Sequence, residues 1–144
     1  MKKFETFEHG ADVGIRGYGD TLEEAFSNAL KALAMLLVEE LPEEGIKKEK
    51  AFEIELEAEE PLELFIAFIN KTLTLFYLEE VLFWEFEGAI ENSAEGLILR
   101  GKLWGEPFSV DKFGYGVEVK GATFTLAEVK RREKGWIAQC VVDV

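Results

Sequence analysis

The chain has 144 residues, with 16 Lys and Arg against 29 Asp and Glu for a formal charge of −13, and 48% of its residues are hydrophobic. That length and apolar content supply one full core. They exclude intrinsic disorder and a mini-protein dependent on staples, so a single domain over 1–144 is expected. The shortage of cations excludes a dedicated nucleic-acid binder, because neutralising phosphates needs a dense Lys/Arg face.

Residues 4–8 and 13–17 read as two short strands around His9-Gly10-Ala11-Asp12. Gly17 and Gly19 then punctuate the chain before a helix. Asp20 with Glu23, and Thr21 with Glu24, each have capping-box spacing, and Leu22, Phe26, Ala29, Leu30, Leu33 and Leu37 recur at helical period to about residue 40. Pro42 and Gly45 end that helix. Phe52, Ile54, Leu56 and Ala58 alternate with glutamates as a one-sided strand. Pro61 opens a second helix carrying Leu62, Phe65, Ile66, Ile69, Leu73 and Phe76. Residues 82–91 and 96–103 form a hairpin around Asn92-Ser93-Ala94-Glu95, 117–129 read as strand, 130–135 as a turn and 136–144 as a last strand. Strands segregated from two helices predict an α+β fold, with a largely antiparallel sheet and two helices packed on one face.

Cys140 is the one cysteine, so no internal disulfide forms, and a reducing, cytoplasmic setting is expected. Glu5, Glu8 and His9 interrupt any apolar run after Lys2 and Lys3, which argues against a secretory signal. The stretch 62–78 approaches membrane length but carries Glu63, Asn70 and Lys71, so it reads as a buried helix and no membrane is expected. Residues 39–95 hold 17 Asp/Glu and 4 Lys/Arg, a balance of 4 − 17 = −13, while the rest holds 12 of each. This excess is a solvated face or an acidic docking surface. Lys130, Arg131, Arg132 and Lys134 form the one basic cluster, read as a polar hairpin tip.

Chemistry-bearing motifs are sparse. There is no G-x-S-x-G elbow, no zinc spacing and no phosphate cradle, and the glycines at 14, 17 and 19 read as turn residues. The notable pairing is Asp12 with a tail ending Val141-Val142-Asp143-Val144. If the strand order brings Asp12 to that tail, then Asp12, Asp143 and the terminal carboxylate of Val144 offer hard oxygen ligands suited to Ca²⁺ or Mg²⁺ rather than zinc. Otherwise Asp12 bonds loop amides, Asp143 faces water and the terminus frays.

The run from His9-Gly10-Ala11-Asp12-Val13-Gly14 through Gly19-Asp20-Thr21-Leu22-Glu23-Glu24-Ala25-Phe26 resembles the opening signature of the archease family, H-T-A-D-x-G followed by G-x-T-L-E-E-A-F. The segment 116–123 and the ending Gly135-Trp136 to Asp143-Val144 resemble the same family's last two strands. The resemblance spans essentially the whole chain. It implies an accessory protein of tRNA processing that promotes guanylylation and multiple turnover of an RtcB-type tRNA-splicing ligase, or else modulates a tRNA cytosine-5 methyltransferase. It also implies a metal site at Asp12, Asp143 and Val144, with Ca²⁺ or another divalent cation such as Mg²⁺ or Mn²⁺. Two positions depart from the family pattern: Gly10 stands where threonine is usual, and Thr125 where a Thr-Tyr-His run commonly places histidine. A small metal-dependent hydrolase with His9 as base is a third reading, disfavoured by the shortage of nucleophiles.

Overall fold

A computed structural model describes residues 2–144, with Met1 outside them. The hairpin β1 (Phe4–His9) and β2 (Asp12–Gly19) turns on two residues, tighter than the four-residue loop read from the sequence. Gly10 has φ +61°, and a Cβ there would meet nothing within 4 Å, so the turn selects glycine by backbone conformation alone.

Helix α1 (Leu22–Leu37) starts on Thr21, whose hydroxyl accepts from the Glu24 N–H at 3.1 Å, while the Glu24 carboxylate accepts from the Asp20 N–H at 3.2 Å. Of the two capping spacings in the sequence, Thr21 with Glu24 is the one used. The helix ends at Leu37, three residues short of the periodic pattern, because Val38 turns extended and bridges to Tyr115. Strand β3 (Lys50–Ala58) follows, then α2 (Pro61–Glu79) with proline in its first turn and Glu80 in a left-handed cap, its N–H on the Phe76 carbonyl. The long hairpin β4 (Val81–Ser93) and β5 (Gly96–Pro107) leads to α3 (Val110–Phe113), too short to leave a periodic trace. The chain closes with β6 (Gly121–Ala122), β7 (Glu128–Arg132) and β8 (Gly135–Asp143).

All strand pairs are antiparallel and the class is α+β, as expected. The strands divide into two sheets, one ordered β1-β2-β8-β6 with β7 also on β8, the other β3-β5-β4. Each long helix touches both sheets, so the helices fill the space between them and one continuous cluster of buried side chains results. Helix α2 is long and apolar enough by composition to cross a bilayer, yet its Leu64, Phe65, Phe68 and Ile69 are fully buried in this cluster. It is a core helix.

Two close approaches fix the layers. A Cβ at Gly17 would lie 2.2 Å from the Ala29 nitrogen, so α1 rests directly on the β2 backbone. Between Phe83 and Glu85 the β4–β5 register slips, and the Phe86 N–H beside the slip donates to the buried Ser27 hydroxyl of α1 at 3.0 Å. On edge strand β3, Ile54 is buried while Glu53, Glu55 and Glu57 face water, with Glu55 bonded to Arg100 at 2.6 Å. This part of the acidic middle is a solvated strand face that also protects a sheet edge.

Candidate metal centre

The central ladder of the first sheet pairs β2 with β8, from Gly19–Trp136 to Val13–Val142. The paired register ends there, and Asp12 and Asp143 are the next residue of each strand. Alternation puts both on the face occupied by Arg16 and Gln139, opposite the face that carries Ile15, Cys140 and Val142 into the core. The two extremities of the chain therefore converge, and Asp12 is half-buried while Asp143 is exposed.

The tail is anchored on its other side as well. The Lys120 N–H donates to the Asp143 carbonyl at 2.7 Å, Gly121 pairs with Asp143, and the Val144 side chain packs against the core cluster. Pairing with β2 holds β8 as far as Val142, and pairing with Gly121 on the other flank holds Asp143.

The segment that pairs with the tail is itself held by α2. The Tyr77 hydroxyl donates to the Val119 carbonyl at 2.8 Å and accepts from the Val119 N–H at 3.1 Å; the Asn70 side-chain oxygen accepts from the Ala122 N–H at 2.8 Å. These side chains stand in for a strand partner. The expected strand over 117–129 is accordingly reduced to β6 and β7. Between them, residues 123–127 bulge out, with Leu126 at φ +49° and the Thr123 hydroxyl on the Val141 carbonyl. Thr125, at the position that departs from the family pattern, lies in this bulge, where its carbonyl accepts from the Val141 N–H at 3.1 Å. Asn70 and Tyr77 are thus positioning residues that sequence reasoning missed, although a polar Asn70 in an apolar run was a signal.

Arg16, on the same face as Asp12, is committed elsewhere. It donates to Gln139 at 2.7 Å and to Glu5 at 3.1 Å, and its guanidinium lies 4.4 Å from the Phe7 ring centre. The Tyr18 hydroxyl also donates to Glu5, and together these bonds hold the Glu5 carboxyl below the usual carboxylate range. None of the ion pairs among the described residues reaches Asp12 or Asp143. Two carboxylates stand on one face at the end of the β2–β8 ladder.

Among the described residues no three His, Cys, Asp or Glu side chains group closely enough to hold a metal. The donors the ladder brings together are two aspartates beside the last residue, all oxygen, which fits a hard cation and not zinc. His9 pairs with Asp12 across the β1–β2 turn and is exposed. Cys140 is buried on the core face, where desolvation pushes its thiol up to about 12, so it offers neither a thiolate nucleophile nor a metal ligand at neutral pH. The basic cluster lies at the opposite end of β8, on β7 and the following turn.

The chain matches the family described as "Archease protein family (MTH1598/TM1083)" over residues 4–144. It is 39% identical over 145 residues to a protein archease of Pyrococcus furiosus and 36% identical to one of Pyrococcus abyssi, with both chains covered completely in each case. The solution structure of Methanobacterium thermoautotrophicum protein 1598 shares the fold with a TM-score of 0.83 at 28% identity, again over the whole of both chains.

Proposed function

The chain belongs to the Archease protein family, and we propose that it is a cytoplasmic, metal-binding accessory protein that activates an RtcB-type tRNA-splicing ligase by promoting its guanylylation and multiple turnover. The observation that supports this reading is the β2–β8 register, which ends at Val13–Val142 with Asp12 and Asp143 as the next residues on the two strands. In this reading Asp12, Asp143 and the terminal carboxylate of Val144 hold a divalent cation, Ca²⁺ foremost, with Mg²⁺ or Mn²⁺ as alternatives. Such an ion supplies charge neutralisation of phosphate oxygens.

The chain's own residues do the positioning. Asp12 is fixed by the two-residue turn after His9, and Asp143 by its backbone bonding to Lys120 and Gly121. Asn70 and Tyr77 hold the flanking segment, so the carboxylates are presented on a braced edge rather than a mobile tail. Arg16 stays with Glu5 and leaves the pair its negative charge. The protein thereby lends ligands to a partner's nucleotide centre without performing the chemistry itself, and RNA is held by the partner.

The test is multiple-turnover RNA ligation by the purified ligase. Wild-type protein should stimulate it, and Asp12→Ala or Asp143→Ala should abolish stimulation while leaving the circular dichroism spectrum unchanged. Undiminished stimulation by both variants would remove the reading. Modulation of a tRNA cytosine-5 methyltransferase is the second reading; Thr125, in the bulge beside β8 where the family often carries histidine, alters the surface that a client would meet. Recovery of the methyltransferase rather than the ligase in a pull-down would select it.

A further inference from the structure

We propose that the groove between the C-terminal ends of α1 and α2 and residues 115–118 is a docking site for a partner polypeptide segment bearing one apolar anchor flanked by lysines or arginines. The groove encloses about 430 Å³. Leu37, Phe76 and Phe108 form its floor, while Tyr77, Tyr115 and Val117 are 49%, 73% and 40% exposed. Contiguous exposed apolar side chains around a groove mark an interaction surface.

Both tyrosines are already ordered. The Tyr77 hydroxyl is fixed by the Val119 backbone, and the Tyr115 ring lies 5.5 Å from that of Phe108 while its backbone bridges to Val38. Rigid, half-exposed aromatics lose little freedom on binding and are the residue type that dominates interface energetics.

Charge selects the occupant. Glu80 and Glu118 line the groove. The C-terminal ends of both long helices meet there, and neither carries a basic residue in its last turn; the Leu36, Leu37 and Phe76 carbonyls are capped by the Val117, Gly116 and Glu80 N–H groups, so the glutamates supply the negative charge. Lys112 nearby is bound to Glu106 at 3.0 and 3.2 Å. Lys120, two residues beyond Glu118, is not among the lining residues. A second copy would bring a further −13 charge to this acidic rim, and an anionic lipid surface would be repelled in the same way. A cationic segment is attracted. Residues 115–118 also run through Val119 into the backbone that pairs with Asp143, so the groove and the tail share one segment of chain.

The experiment is an NMR titration of the ¹⁵N-labelled full chain with a peptide carrying one tryptophan between two pairs of lysines. Two control peptides replace the lysines with glutamates, or the tryptophan with serine. Shifts should centre on residues 76–80 and 115–118, weaken with salt, and be absent with either control. The double variant Glu80→Lys/Glu118→Lys should lower apparent affinity at least tenfold, and Tyr115→Ser, at a largely exposed position, should do so without disturbing the fold. Asp12→Asn should bind the peptide as wild type does, since docking does not depend on the metal centre. Absence of groove shifts, equal binding of the glutamate peptide, or groove signals that move on simple dilution through self-association would each overturn the proposal.

Discussion

Asp12 and Asp143 are the residues that follow Val13–Val142, the last pair of the β2–β8 ladder, and Arg16 on the same face is bound to Glu5. Like charges directly opposite on a ladder cost about 0.2–1 kcal/mol. In the presence of a chelator, Asp143→Asn should therefore melt at or slightly above the wild type. With calcium at about 100 times its Kd, the wild type should gain about 2.7 kcal/mol and the variant far less. Calorimetry should show this as a rise of roughly 5–10 °C confined to the wild type, taking about 2–4 °C per kcal/mol.

The tail depends on a tyrosine from another layer. Tyr77→Phe leaves both the N–H and carbonyl of Val119 without their partner, at a cost of about 1–3 kcal/mol. Chemical denaturation should report that loss, and amide exchange should quicken at residues 119–122 more than in α1. Unchanged exchange there would show that α2 does not brace the segment.

Much of the fold is legible because its signals are local. The capping box at Thr21 and Glu24, the first-turn proline at 61 and the alternation from Phe52 to Ala58 each act within a few residues, and each is used where expected. What is not legible is non-local. Valines at 117 and 119 mimic a strand, but Tyr77 takes up the Val119 backbone, and the chain bulges at Leu126 before Val129 enters β7. The split into two sheets is decided by which strands find each other, a matter of long-range packing that no short window carries. For the metal centre, the two aspartates are readable as hard donors, while their meeting depends on a ladder that joins opposite ends of the chain.

Gly17 marks where helix and sheet come closest. A Cβ there would sit 2.2 Å from the Ala29 nitrogen and 2.3 Å from the Ala25 carbonyl, both backbone atoms of a buried helix that cannot swing aside. Gly17→Ala should cost about 1–3 kcal/mol through forced separation of the layers. Urea unfolding should show a lower midpoint with an unchanged m-value.

Glu5 sets an acid limit on the outer face. Its folded pKa is lowered, first by the Tyr18 hydroxyl and then by Arg16, so its stabilisation is present above its unfolded value of about 4.3 and is lost as pH falls through the folded value. Stability should therefore decline below about pH 4.3 through this group. Glu5→Gln should be less stable at neutral pH and show a shallower decline in acid, as followed by urea midpoints from pH 7 downwards.

The central claim is that the two ends of the chain grip a hard cation, and calcium titration by isothermal calorimetry tests it most directly. The wild type should bind one ion per chain. Asp12→Asn, Asp143→Asn and a form extended by one glycine after Val144 should each weaken or abolish that binding, while Glu118→Gln leaves it intact. Binding that survives both aspartate substitutions, or no binding by the wild type, would contradict the account.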